Sequence, residues 1–170
     1  AADSFISDVS GHGVGAALLM AEARTTFMAE RLISRSAAPI LEKLNDLLFD
    51  DLDRAKLFMT ACCSTFDAQT SELCYANAGH PPALLLRAGE TRCTTIEAGG
   101  CLLGIDKSFD FVDVKVKLFT GYTGWGAGQL EIEVRAGAWI LEPADARSVF
   151  APDGLDLWER VYEILERLVA

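Results

Sequence analysis

The chain has 170 residues, of which 51% are hydrophobic and 24% charged, with 14 glycines and a net charge of −10. That length and mix fit a single globular domain with its own core and exclude a disordered or fibrous chain. The acidic balance, without any basic cluster, argues against nucleic acid and membrane surfaces as partners; no apolar run reaches the roughly 18 to 20 residues of a membrane span and no basic-then-apolar leader is visible, so the expected location is the cytoplasm.

Residues 1–7 read as a strand fragment carrying Phe5 and Ile6, and strands that would precede it are expected to be missing. Asp8-Val9-Ser10-Gly11-His12-Gly13-Val14-Gly15 then places an acidic residue at a strand end, a glycine-rich turn and a helix start together. Such a turn suits phosphate and metal chemistry: a helix N-terminus offers unpaired N–H groups and partial positive charge, and a carboxylate can hold a hard cation beside the same phosphate. Gly11-x-Gly13-x-x-Ala16 loosely fits a dinucleotide fingerprint, but the chain runs from one helix into another where that fold needs a parallel strand ending in an acid.

Val14, Ala17, Leu18, Ala21, Thr25, Met28 and Leu32 recur at three- and four-residue steps and predict an amphipathic helix to about residue 35. A second helix is expected from Pro39, with Ile40, Leu41, Leu44, Leu47, Leu48 and Leu52 facing the core and a stop in the charged residues 50–54. Residues 57–66 and 72–77 read as an antiparallel hairpin around a polar turn. Asn77-Ala78-Gly79-His80-Pro81-Pro82 forces a bend, where His80 reads as a histidine bonded to its own turn. Strands are expected over 83–87, 91–97 and 109–118, the last with Lys115 and Lys117 outward, giving an antiparallel, meandering sheet.

From Gly121 the character changes. Leu130, Ile132 and Val134 alternate with charged residues and predict a strand, with Trp139-Ile140-Leu141 returning as its partner; Leu157, Trp158, Val161, Ile164, Leu165 and Leu168 mark a final helix. The five cysteines, Cys62, Cys63, Cys74, Cys93 and Cys101, are odd in number and lack CxxC spacing, which predicts reduced, buried thiols and neither a zinc site nor disulfides. No base stands beside a candidate nucleophile, so covalent catalysis is not supported.

The Asp8 turn with Ala16-Ala17-Leu18-Leu19-Met20, then Phe58-Met59-Thr60, then Tyr75-Ala76-Asn77-Ala78-Gly79-His80-Pro81-Pro82, and Gly100-Cys101-Leu102-Leu103-Gly104-Ile105 occur in order. Together they resemble the SpoIIE/RsbU-like branch of the metal-dependent (type 2C) serine/threonine protein phosphatases. The resemblance covers residues 3–121 of what reads as one phosphatase-like domain over 1–170, with 122–170 diverged. It implies an α+β fold, an α-β-β-α sandwich of two antiparallel sheets flanked by helices. It also implies two Mn²⁺ or Mg²⁺ ions that activate a water to attack phosphoserine or phosphothreonine on an anti-sigma-factor-antagonist type of protein.

Matched residue by residue, Asp8 corresponds to the metal-bridging aspartate and Val9 to a residue offering its backbone carbonyl to the metals or their water. Gly11, His12 and Gly13 complete the candidate catalytic turn, the glycines letting the backbone approach the ions. The family also takes carboxylates from an upstream Gly-Gly-Asp and a downstream Tyr-Thr-Asp-Gly; the first is not present here, and at the second this chain reads Gly121-Tyr122-Thr123-Gly124-Trp125. Truncation, divergence to a non-catalytic binding module, and rearrangement near Gly121 are the three explanations this leaves open. The binding-module alternative includes a homodimer formed by strand exchange at an unpaired sheet edge.

Overall fold

In the computed structural model the described residues are 2–118, 124–139, 141 and 150. The chain divides into two compact units, Ala1–Leu118 and Phe119–Ala170. The first contains β1 (Ala2–Val9), α1 (Val14–Glu30), α2 (Ala37–Ala55), β2 (Met59–Asp67), β3 (Glu72–Ala78), β4 (Ala83–Leu85), β5 (Thr94–Ile96) and β6 (Val114–Lys117). One antiparallel sheet has the order β1-β2-β3-β6, and a second pairs β4 with β5.

Alternation along the strands divides the four-stranded sheet between two cores. Met59, Ala61 and Cys63 of β2 and Cys74, Ala76 and Ala78 of β3 join Ala16, Leu19, Ala23 and Phe27 of α1 and the leucines of α2 in the larger core. These sheet residues are mostly small, so the helices can approach closely while Ile40, Leu41, Leu44, Leu48 and Leu52 fill the gap, all fully buried. Phe5 stacks on Phe27 with ring centroids 4.7 Å apart, joining β1 to α1. The opposite face supplies Cys62 and Tyr75, which pack with Ile96 and Ala98 against Ala83, Leu85, Val114 and Val116. Helices on one face and a second antiparallel sheet on the other agree with the expected sandwich.

The N-terminus of α2 is held by a residue far away in sequence. Asp113 accepts hydrogen bonds from the backbone N–H of Ala37 (3.0 Å) and Ala38 (2.7 Å) and from the Ser36 hydroxyl, thereby pairing the end of the helix that carries partial positive charge. Burial pushes the Asp113 carboxyl up, but bonds from Ser36, Cys74, Ala38 and Ala37 outweigh it and hold the pKa below the ordinary 3.8. A carboxyl with a depressed folded pKa stabilises the fold above its unfolded pKa and loses that contribution as pH falls through the folded value. Asp113→Asn is therefore expected to cost about 1 kcal/mol at pH 7 in urea unfolding. The gap between wild type and variant should close as the pH is lowered from about 4.

Several elements differ from expectation. The α1 stripe is Ala16, Leu19, Ala23 and Phe27; Val14, Leu18, Met28 and Leu32, expected inside, are 77%, 65%, 42% and 78% exposed. Its polar residues Glu22, Arg24, Thr25, Thr26 and Glu30 are scattered round the helix, so its pattern does not select a face. It also ends at Glu30. Helix α2 starts at Ala37, runs through the charged residues to Ala55, and leaves Leu47 on the surface while burying Asn45. The Asn45 amide donates to the Asp106 carbonyl (2.8 Å) and its oxygen accepts from Gly104 N–H (3.0 Å), fixing the loop after β5 onto the helix.

The last strand of the unit is shorter than expected; Phe109 and Phe111 precede it as an edge-to-face pair with centroids 5.0 Å apart. The sheet is not one continuous meander, because β6 returns to pair with β3 while β4 and β5 form their own ladder. Cys62, Cys63 and Cys74 are buried free thiols, but Cys93 is exposed.

In the second unit the expected strand at Leu130 is a helix, α3 (Gln129–Arg135). Its N-terminus follows Gly128 in the left-handed region at φ 77°. Gln129 donates to Glu133 one turn on (2.8 Å), Arg135 Nε donates to the Glu131 carbonyl (3.0 Å), and the indoles of Trp125 and Trp139 donate to Glu133 at 3.2 and 2.6 Å. The first two of these bonds span four residues and decide between helix and strand where the apolar spacing does not. Ile140 of the expected partner strand and the final helix lie outside the described residues.

Candidate active site

The site is built where β1 ends. Asp8 is the last outward residue of the strand, opposite Thr60 in the β1–β2 ladder, so the two side chains share the face turned away from the helices. Val9, one residue on, turns its side chain into the core and is 7% exposed. Ser10 closes the strand end: its N–H donates to the Phe58 carbonyl (2.8 Å) and its hydroxyl accepts from the Phe58 N–H (2.8 Å).

The next three residues turn the chain into α1. Gly11 and Gly13 have φ of 93° and 92°, a region that side-chain-bearing residues rarely occupy. At Gly11 a Cβ would also stand 3.1 Å from the Leu57 side chain. Helix α1 begins with no side-chain cap and no acidic residue in its first turn, so among the described residues no side chain pairs its leading N–H groups, the groups that suit an anion. His12 is exposed between the two glycines. The structure thus brings Asp8, Gly11, His12 and Gly13 together in one turn, with Val9 adjacent through its backbone.

A second segment reaches the same place. The Asn77 side chain clamps the bend after β3: its oxygen accepts from the His80 N–H (2.7 Å), and its amide donates to the His80 carbonyl (2.8 Å) and the Tyr75 hydroxyl (3.1 Å). His80 is therefore bonded to its own turn through its backbone, as the sequence suggests. Its ring goes elsewhere, with Nδ1 2.8 Å from the Thr60 hydroxyl, beside Asp8. Thr60 is the residue that sequence reasoning passed over, although it closes the Phe58-Met59-Thr60 motif; its importance emerges only from strand register. Gly100 lies against this bend so closely that a Cβ would overlap the Asn77 carbonyl.

A pair of Mn²⁺ or Mg²⁺ ions needs several oxygen ligands, at least some of them carboxylates. Asp8 offers an exposed carboxylate, but among the described residues no three His, Cys, Asp or Glu side chains are grouped as a metal site. The described residues do not fit a two-metal centre.

The family model of Stage II sporulation protein E (SpoIIE) matches residues 3–123, and an AlgH-like family model matches residues 104–168. The phosphoserine phosphatase RsbU of Bacillus subtilis is 27% identical over 106 residues, 62% of this chain and 31% of that protein. A UPF0301 protein of Thermobifida fusca is 47% identical over 47 residues, 28% of this chain and 24% of that one.

The crystal structure of the RsbU and RsbW domains of Rv1364c from Mycobacterium tuberculosis matches with a TM-score of 0.58 at 28% identity, covering 70% of this chain and 33% of that one. The chain belongs to the SpoIIE family, and its fold is that of the phosphatase 2C domains. It spans between about a quarter and a third of the length of these curated relatives. The change of character at Gly121 falls where the AlgH-like match overlaps the end of the SpoIIE match.

Proposed function

We propose that this chain is a phosphatase-type domain of bacterial signalling that recognises phosphoserine or phosphothreonine on a protein of the anti-sigma-factor-antagonist kind, in the cytoplasm. The observation that carries the reading is the SpoIIE match over a turn that holds an open carboxylate, two positive-φ glycines and an uncapped helix N-terminus. Asp8, Gly11, His12 and Gly13 form the catalytic turn, the helix N–H groups take phosphate oxygens, and Asp8 with the Val9 carbonyl are the groups of this turn suited to Mn²⁺ or Mg²⁺.

Because no three His, Cys, Asp or Glu side chains group as a metal site among the described residues, hydrolysis by this chain is expected to be slow. That same observation favours a second reading, a binding module with little catalysis. Among the described residues strand β1 lies at the edge of the four-stranded sheet, which supports the homodimer form of that reading through strand exchange. The charge of −10 opposes nucleic acid and anionic membranes as partners. Among the described residues no helix is long and apolar enough to cross a membrane.

Hydrolysis of p-nitrophenyl phosphate and of a phosphoserine protein in Mn²⁺ tests the proposal. A slow turnover that Asp8→Ala abolishes is the expected outcome. Turnover unaffected by Asp8→Ala would contradict the site, and the absence of both turnover and phosphoprotein binding would contradict the function.

A further inference from the structure

A chain of net charge −10 repels a phosphate at range, so any phosphate it holds must be held by local donors. Beyond the glycine turn, the sheet face carrying Asp8 presents one further candidate, the ring of His80. Its backbone is fixed at both polar groups by Asn77, whose side chain is itself 5% exposed and fully engaged. The ring is fixed at one nitrogen by Thr60.

The two distances from the Thr60 hydroxyl determine what the ring presents. A threonine hydroxyl has one hydrogen to give. It stands 2.8 Å from His80 Nδ1 but 3.5 Å from the Asp8 carbonyl, at the outer limit of a hydrogen bond. Given to the nearer acceptor, Nδ1, that hydrogen leaves a neutral ring carrying its own hydrogen on Nε2; given to the Asp8 carbonyl, it leaves Nδ1 as the donor. Among the described residues no hydrogen bond is made to Nε2.

We propose that Thr60 holds His80 as the Nε2–H tautomer, and that this N–H donates to an anionic oxygen of a phosphate monoester bound against the Asp8 turn. The inference rests on the phosphate-directed reading above and deepens it: His80 is a ligand-binding residue, with Thr60 and Asn77 as positioning residues. A neutral donor suits this place because it adds a hydrogen bond for the phosphate without adding a cation to compete for Asp8. The sheet register makes the arrangement possible, since Asp8 pairs with Thr60 and Gly79 bridges to Ala61.

The test is nitrogen-resolved NMR of the histidine rings in the full chain at pH 7.5, free and titrated with O-phosphoserine without metal. The wild type is expected to show His80 protonated on Nε2, and its ring signals should shift along the same saturation curve as the Gly11 and Gly13 amides. Thr60→Val should mix the tautomers and weaken phosphoserine binding about three- to tenfold, the worth of one hydrogen bond. Thr60→Ser, which keeps the hydroxyl, should restore both readouts.

An Nδ1–H tautomer in the wild type, which needs no variant to observe, would overturn the inference. So would failure of Thr60→Ser to rescue. Amide shifts at Gly11 and Gly13 with a silent His80 would overturn it while leaving the phosphate site standing. Silence at all three would overturn both readings.

Discussion

Gly100→Ala should unfold or severely destabilise the first unit, lowering its stability in urea by more than about 3 kcal/mol, whereas Gly99→Ala should change it by less than about 0.5 kcal/mol. The two glycines are neighbours and chemically identical, but their surroundings differ. A Cβ on Gly100 would overlap the Asn77 carbonyl and crowd the backbone of Ala78, and backbone cannot swing aside as a flexible side chain can. A Cβ on Gly99 meets nothing within 4 Å. The variant would also push on the bend that Asn77 clamps, so His80 should move from Thr60 in whatever fraction remains folded. Equal stability of the two variants would show that the 100–104 loop does not pack as described.

Leu48→Ala is expected to cost about 2 to 5 kcal/mol and Leu47→Ala less than about 0.5 kcal/mol, measured by the same unfolding curves. Leu48 is completely buried between α2 and the sheet, in a core whose small sheet residues leave the helix leucines to fill the volume. Removing its side chain leaves a cavity in a core whose sheet residues, Ala61, Cys63 and Ala76 among them, are small. Leu47 is 48% exposed. Similar costs for the two would mean that α2 is rotated by part of a turn from its described orientation.

The same pair of leucines shows how far the sequence can be read. Five of the six residues expected on the inner face of α2 are there, because polar residues mark the opposite side and periodicity has something to contrast with. Helix α1 offers no such contrast: Val14, Leu18 and Met28 are as apolar as Leu19 and Phe27, and packing against α2 and β1 decides which set is buried. In α3, Leu130, Ile132 and Val134 satisfy a strand pattern, and side-chain bonds one turn apart settle the helix.

At the site, the Asp8 turn is legible because an acid, two glycines and a helix start are contiguous. The contribution of His80 is not legible, because beyond the local Asn77 bend it depends on Thr60 standing opposite Asp8, 52 positions away, and meeting the His80 ring, 20 positions away, relations that only the strand register fixes. Asp113 capping α2 across more than 70 positions is hidden for the same reason.

This SpoIIE-family fold presents one exposed carboxylate, Asp8, in the turn between β1 and α1. Calorimetric titration of the full chain with Mn²⁺ measures this most directly. Weak binding of a single ion, abolished by Asp8→Ala, is the predicted result. Tight binding of two ions, or binding indifferent to Asp8→Ala, would contradict it.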